Sequence, residues 1–169
     1  IQHSWEEARA AGIEEFIFVS HKRKDMLQKH FEAQPELEAL LEAGGKTDWL
    51  AAVRESSLPA GALRVTYQNE PLGLGHAVWC AKKLVGNEPF AIILPDDVFI
   101  ADKPCLAQMM DVYNECGGNI VAVMDVSREE TARYGVVDVK SENGQLVDVK
   151  GMVEKPNPEK APSTLAVIG

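Results

Sequence analysis

The sequence Phe90-Ala91-Ile92-Ile93-Leu94 is five apolar residues in a row, closed by Pro95-Asp96-Asp97. A strand with one wet face alternates apolar and polar residues. An unbroken run of this length fits a strand covered on both faces, the habit of a parallel sheet lying between helices. The rest of the chain reads the same way, because short β-prone runs alternate with helical stretches. Residues 16–20 (Phe-Ile-Phe-Val-Ser), 63–67 and 119–126 read as strands, and residues 22–31, 35–41, 76–84 and 104–116 read as helices. Residues 5–11 read as the end of a helix stopped by Gly12, and Thr47 as the cap of a helix over 48–55. Ser127 with Glu130 has the spacing of a capping box. Residues 135–139 and 146–149 alternate around Glu142-Asn143-Gly144, which predicts a hairpin, and residues 153–155 predict a further short strand before Pro156 and Pro158.

This order predicts an α/β fold: a Rossmann-like three-layer sandwich around a mostly parallel sheet, made mixed by the late hairpin. No repeat, low-complexity stretch or internal linker divides the chain, so residues 1–169 read as a single domain. Ile1-Gln2-His3-Ser4-Trp5 shows no initiator Met and no signal-peptide pattern, and 165–169 reads as a strand. The expectation is a domain cut at both ends.

Composition narrows the function. Apolar residues make up 46% of the chain, enough for a core and far too many for a disordered state. No apolar run approaches the roughly 20 residues of a membrane-spanning helix. The net charge of −9 argues against nucleic acid as a partner, since that needs a basic footprint. A small phosphorylated ligand needs only local donors and a metal ion. Cys80, Cys105 and Cys116 match no zinc spacing and read as reduced thiols of a cytoplasmic protein.

Ligands of open α/β sheets sit beyond the carboxyl ends of strands. Two segments fall there. Gln68-Asn69-Glu70-Pro71-Leu72-Gly73-Leu74-Gly75-His76 joins a strand to a helix. Glycine lets backbone approach a flat ligand, and the Gln68 amide offers both a donor and an acceptor to a nucleobase edge. The same loop also reads as a plain Gly-rich turn. Asp96-Asp97 suits a hard divalent cation such as magnesium, which takes one or two carboxylates and completes its shell with waters and phosphates. It reads equally as a turn that caps the next helix. Val153-Glu154-Lys155-Pro156 offers a carboxylate for sugar hydroxyls and a cation for a phosphate, on opposite faces if the segment is a strand. His3 and His30 read as surface residues. His21 and His76 have no metal partner at a recognisable spacing.

Taken in order, these segments resemble the bacterial UTP–glucose-1-phosphate uridylyltransferases (UDP-glucose pyrophosphorylases) of the sugar-nucleotidyltransferase family. The resemblance rests on residues 10–15 (Ala-Ala-Gly-Ile-Glu-Glu), 68–78 (Gln-Asn-Glu-Pro-Leu-Gly-Leu-Gly-His-Ala-Val), 94–97 (Leu-Pro-Asp-Asp), 134–138 (Tyr-Gly-Val-Val-Asp) and 151–156 (Gly-Met-Val-Glu-Lys-Pro). It implies transfer of UMP from UTP to glucose 1-phosphate with magnesium, giving UDP-glucose and pyrophosphate. It implies that Gln68 and Gly73 read the uracil and that Asp96 binds the metal. It further implies that Gly135 and Glu154 hold glucose hydroxyls, that Lys155 holds the sugar phosphate, and that Val167 contacts the sugar. Asp97 either binds the sugar or only shapes its loop. Asp96 and Lys155 are the residues implied to be catalytic.

The family opens with a Gly-rich loop carrying an Arg and a Lys, and has a second metal-binding Asp. The expectation is that these lie before Ile1 and after Gly169. The chain alone is then expected to bind nucleotide weakly, to be inactive and to show a raw sheet edge. The resemblance implies a parent of about 290–300 residues, acting as a homodimer or homotetramer. Three other readings stay open: a glycosyltransferase, a non-catalytic relative, and a pyrophosphorylase for another base or sugar. Adjacent aspartates in place of Asp-x-Asp count against the first, and the presence of Asp96, Glu154 and Lys155 counts against the second.

Overall fold

The computed structural model of the protein describes residues 1–21, 26–59 and 61–168. Its contacts gather into two compact units. One holds residues 12–92, and the other holds residues 3–11 together with the chain from Ile93 onward.

In the first unit, β1 (Phe16–Ser20) and β2 (Leu63–Tyr67) pair in parallel, with Phe16 opposite Leu63 and Ser20 opposite Tyr67. The ladder continues past both ends, because Phe16 N–H donates to Ala62 O (2.9 Å) and Gln68 N–H to Ser20 O (2.9 Å). The crossover between the strands carries α2 (Met26–Phe31), α3 (Pro35–Ala43) and α4 (Thr47–Ser56). Of the helix expected over 22–31, the part 22–25 lies outside the described residues. Pro35 opens α3 at its first turn, where the missing N–H costs nothing. Thr47 is not a cap, contrary to expectation. Lys46 holds that position without a side-chain bond, and Thr47 is the first helical residue. Phe31 is fully buried and meets the ring of Phe18 edge-on at 5.3 Å, with Leu50 and Ala81 also buried. The helix expected over 76–84 is two pieces, α5 (Leu74–Cys80) and α6 (Lys82–Val85), that meet at Ala81. It begins early because Gly73, at φ +97°, turns the chain straight into it.

In the second unit, α1 (Gln2–Ala10) and α7 (Cys105–Cys116) accompany a four-stranded antiparallel sheet. Its strands are β3 (Val123–Asp125), β4 (Gly135–Asn143), β5 (Leu146–Glu154) and β6 (Leu165–Val167), in the order β3-β6-β4-β5. Val136, Val137, Ala166 and Thr131 are its most buried residues. The Thr131 hydroxyl is satisfied by donating to Arg128 O at 2.6 Å. The hairpin forms where expected but runs longer. Asn143 pairs with Leu146 across Gly144-Gln145, with Gly144 at φ +63°. Residues 153 and 154 end β5 rather than forming a strand of their own.

The class is α/β and the pairing is mixed, but the parallel part is smaller than the sequence suggested. Among the described residues the only parallel pair is β1–β2. Residues 90–94, expected as the central parallel strand, form no ladder, and Phe90 and Ile92 are 57% and 48% exposed. Apolarity encodes a preference for burial, whereas a strand also needs a partner, and residues 90–94 pair with none among the described residues. The strand expected over 119–126 shrinks to Val123–Asp125, because its partner β6 is itself only three residues long. No described helix is long and apolar enough to cross a membrane.

Candidate functional site

Gln68 and Gly73 come together at the end of β2. The Gln68 side chain folds over the loop, and its Nε2 donates to Gly73 O (3.0 Å) while lying 3.1 Å from His76 Nδ1. The far ring nitrogen of His76 is 3.9 Å from Cys80 Sγ, one turn along α5. Cys80 is anchored in turn, since its carbonyl accepts from the Thr66 hydroxyl at 3.1 Å. The loop itself is exposed and tight, with Leu72 N–H donating to Glu70 O (2.8 Å). A side chain at Gly73 would meet no neighbour. Its constraint is the left-handed φ, together with the open approach that it leaves.

Gly135, Glu154 and Val167 form a row across three strands of the second unit. Gly135 is paired with Glu154 across β4–β5. Val136 pairs with Ala166 across β4–β6, and continuing that antiparallel register sets Val167 opposite Gly135. The Glu154 side chain lies over the glycine. A Cβ on Gly135 would sit 3.2 Å from Glu154 Oε2 and 3.0 Å from Met152 Sδ.

Lys155 extends this row. It is the only described non-glycine residue with positive φ, at +45°. Its N–H donates to Tyr134 O (2.9 Å), one step beyond the β4–β5 ladder. The opposite facing expected of Glu154 and Lys155 held only for a strand, and β5 ends at Glu154, before Lys155. The left-handed turn ends the strand's alternation and brings Lys155 Nζ within 3.5 Å of Glu154 Oε1. Both side chains remain well exposed, so the pair adds little to stability. A left-handed lysine costs conformational energy, and such strain gathers where a side chain must be aimed.

Asp96 stands in the turn after residues 90–94, exposed and without a hydrogen bond or ion pair among the described residues. The turn closes through Asp97 N–H to Leu94 O at 3.2 Å. Among the described residues no three His, Cys, Asp or Glu side chains gather as a metal cage. One uncommitted carboxylate fits the way magnesium binds, through few protein ligands with waters and phosphates for the rest.

A separate open cleft of about 720 Å³ lies in the second unit, lined by Gln108, Asp125, Arg128, Glu142 and Thr164 among others. None of the candidate site residues named from the sequence lines it. The Arg128 guanidinium is already held by Ala161 O (2.6 Å) and Ser163 O (3.5 Å).

Sequence reading missed two features. It left His76 outside the chemistry, because a His eight residues from a Gln across a loop has no periodic signal. It also missed Met152, whose Sδ lies 3.0 Å from where a Cβ on Gly135 would sit, a proximity that only the strand pairing creates.

Residues 1–169 match the nucleotidyl transferase family. The chain is 48% identical over its whole length to the UTP–glucose-1-phosphate uridylyltransferase of Komagataeibacter xylinus, covering 60% of that protein. Among solved structures it resembles the UTP-bound UDP-glucose pyrophosphorylase of Acinetobacter baumannii (TM-score 0.89, 37% identity, 99% of this chain and 60% of that one). It also resembles a UDP-glucose pyrophosphorylase complexed with UDP-glucose (TM-score 0.82, 36% identity, 99% of this chain and 61% of that one). The chain therefore spans about 60% of the length of these relatives.

Proposed function

This chain belongs to the nucleotidyl transferase family, and from that premise we propose that the protein carrying it is a UTP–glucose-1-phosphate uridylyltransferase. It transfers UMP from UTP to glucose 1-phosphate and releases pyrophosphate. The observation that carries the reading is the row Glu154–Gly135–Val167 with Lys155 turned beside it. That row sets a hydrogen-bond acceptor for hydroxyls next to a cation for phosphate, which is the chemistry of a sugar phosphate. The relatives named above, one UTP-bound and one complexed with UDP-glucose, support the choice of substrates.

In this reading the uracil meets Gln68 and Gly73, and glucose hydroxyls meet Glu154 and the backbone at Gly135 with Val167 alongside. A phosphate oxygen of glucose 1-phosphate attacks the α-phosphorus of UTP in line. The bond from that phosphorus to the bridging oxygen of the leaving group breaks, and pyrophosphate departs with its electron pair. The attacking oxygen is already ionised, so no residue of this chain needs to take a proton from it. The protein's task is to hold two anions together and to offset the charge that builds between them. Lys155 does this at the sugar phosphate. Asp96 would hold a magnesium ion, which when bound supplies positive charge between the phosphates. Gly73, at the turn into α5, lets the base approach closely.

We further read both units as parts of one nucleotidyltransferase domain of a cytoplasmic homodimer or homotetramer that binds neither nucleic acid nor membrane. Full-length protein should release pyrophosphate from glucose 1-phosphate and magnesium with UTP, and far less with dTTP, ATP or CTP. Asp96→Ala should abolish the release while leaving the protein folded. A folded full-length protein that releases no pyrophosphate with any of the four nucleotides would overturn the proposal.

A further inference from the structure

We propose that His76 is a positioning residue that sets which base the nucleotide loop accepts, by fixing the orientation of the Gln68 amide. This rests on the reading of Gln68 as the base-contacting residue. An amide can present either its oxygen or its nitrogen to a neighbour, and the two choices select opposite ligands. Gly73 O, 3.0 Å away, can only accept, so the nitrogen of Gln68 must face it. The second hydrogen of the same nitrogen meets His76 Nδ1 at 3.1 Å. That ring nitrogen therefore accepts, and the ring proton sits on Nε2, the atom 3.9 Å from Cys80 Sγ. With both amide hydrogens committed within the loop, Gln68 has only its oxygen left to offer.

An acceptor selects a donor. The imide N3–H of uracil satisfies it. The N3 of cytosine is itself an acceptor and would leave two lone pairs facing each other, an unmade bond that a binding site rejects strongly. If His76 is removed, Gly73 alone holds the amide, and the flipped orientation that suits cytosine becomes more accessible.

Two measurements on the full-length protein test this. Nitrogen NMR of the His76 ring should show Nδ1 unprotonated and Nε2 carrying the proton. A proton on Nδ1 overturns the proposal whatever the enzyme's activity. In kinetics, His76→Leu should lower the ratio of kcat/KM for UTP over CTP by about tenfold, roughly the worth of one hydrogen bond. His76→Asn, which can return an acceptor near the Nδ1 position, should keep the ratio within about threefold of the parent. A folded His76→Leu protein with an unchanged ratio refutes the role of His76 while leaving Gln68 in place. A parent protein that does not prefer UTP to CTP refutes the base-reading role of Gln68 itself, and this inference with it.

Discussion

Gly135 shows what one missing side chain does. Its absent Cβ leaves the space in which Met152 Sδ and the Glu154 carboxylate rest, at 3.0 and 3.2 Å from where that atom would be. Both neighbours are exposed ends of flexible side chains, so Gly135→Ala should be accommodated by their movement. The melting temperature should change little, with a stability loss under about 1 kcal/mol. The displaced Glu154 should raise KM for glucose 1-phosphate several-fold with a smaller effect on KM for UTP. Thermal melts beside steady-state kinetics check both halves, and an unchanged KM would remove Glu154 from the sugar site. Lys155 makes a related point: the positive φ that aims it is a backbone property, invisible in Val-Glu-Lys-Pro as a string of side chains.

Helix ends show how elements are tied down. Pro104 stands at the N-cap of α7 with no side chain to cap it, and the Leu106 N–H is instead satisfied by Glu7 Oε1 of α1 at 3.0 Å. A carboxylate there also suits the positive end of the helix dipole. Glu7→Ala should destabilise the protein by about 1 kcal/mol, as a lost cap does, read as a lower urea midpoint. Glu7→Gln, which retains an acceptor, should recover part of the loss.

The capping box expected at Ser127 and Glu130 is formed. Glu130 Oε2 accepts from the Ser127 hydroxyl (2.8 Å) and N–H (3.1 Å). Those bonds, the hydroxyl's first, hold the Glu130 carboxyl below the usual carboxylate range; Arg133 adds to the effect and burial works against it. A folded-state pKa below the unfolded one stabilises above the unfolded value of about 4.3. That contribution is lost as pH falls through the lowered folded value. Ser127→Ala should move the Glu130 titration, followed by NMR, back up toward the ordinary value. No movement would mean that the hydroxyl does not hold the charge.

At the scale of the whole molecule, the sequence determined most of the alternation of helices and strands, the turns, the hairpin, and which side chains carry an amide, a carboxylate or a cation beside a glycine or a turn. These are local properties: apolar period, glycine, proline, and the chemistry of single side chains. It did not determine pairing. Residues 90–94 are as apolar as a central strand and form no ladder, while residues 63–67, which alternate apolar and polar, pair along their whole length with residues 16–20. Nor did it reveal that Val167 lines up with Gly135 and Glu154, or that Gln68 reaches His76. A hydrophobic run states what wants to leave water, and a polar side chain states what it can bond. Which edge receives the run, and which partner meets the side chain, depend on segments tens of residues away, and only the tertiary structure brings those together.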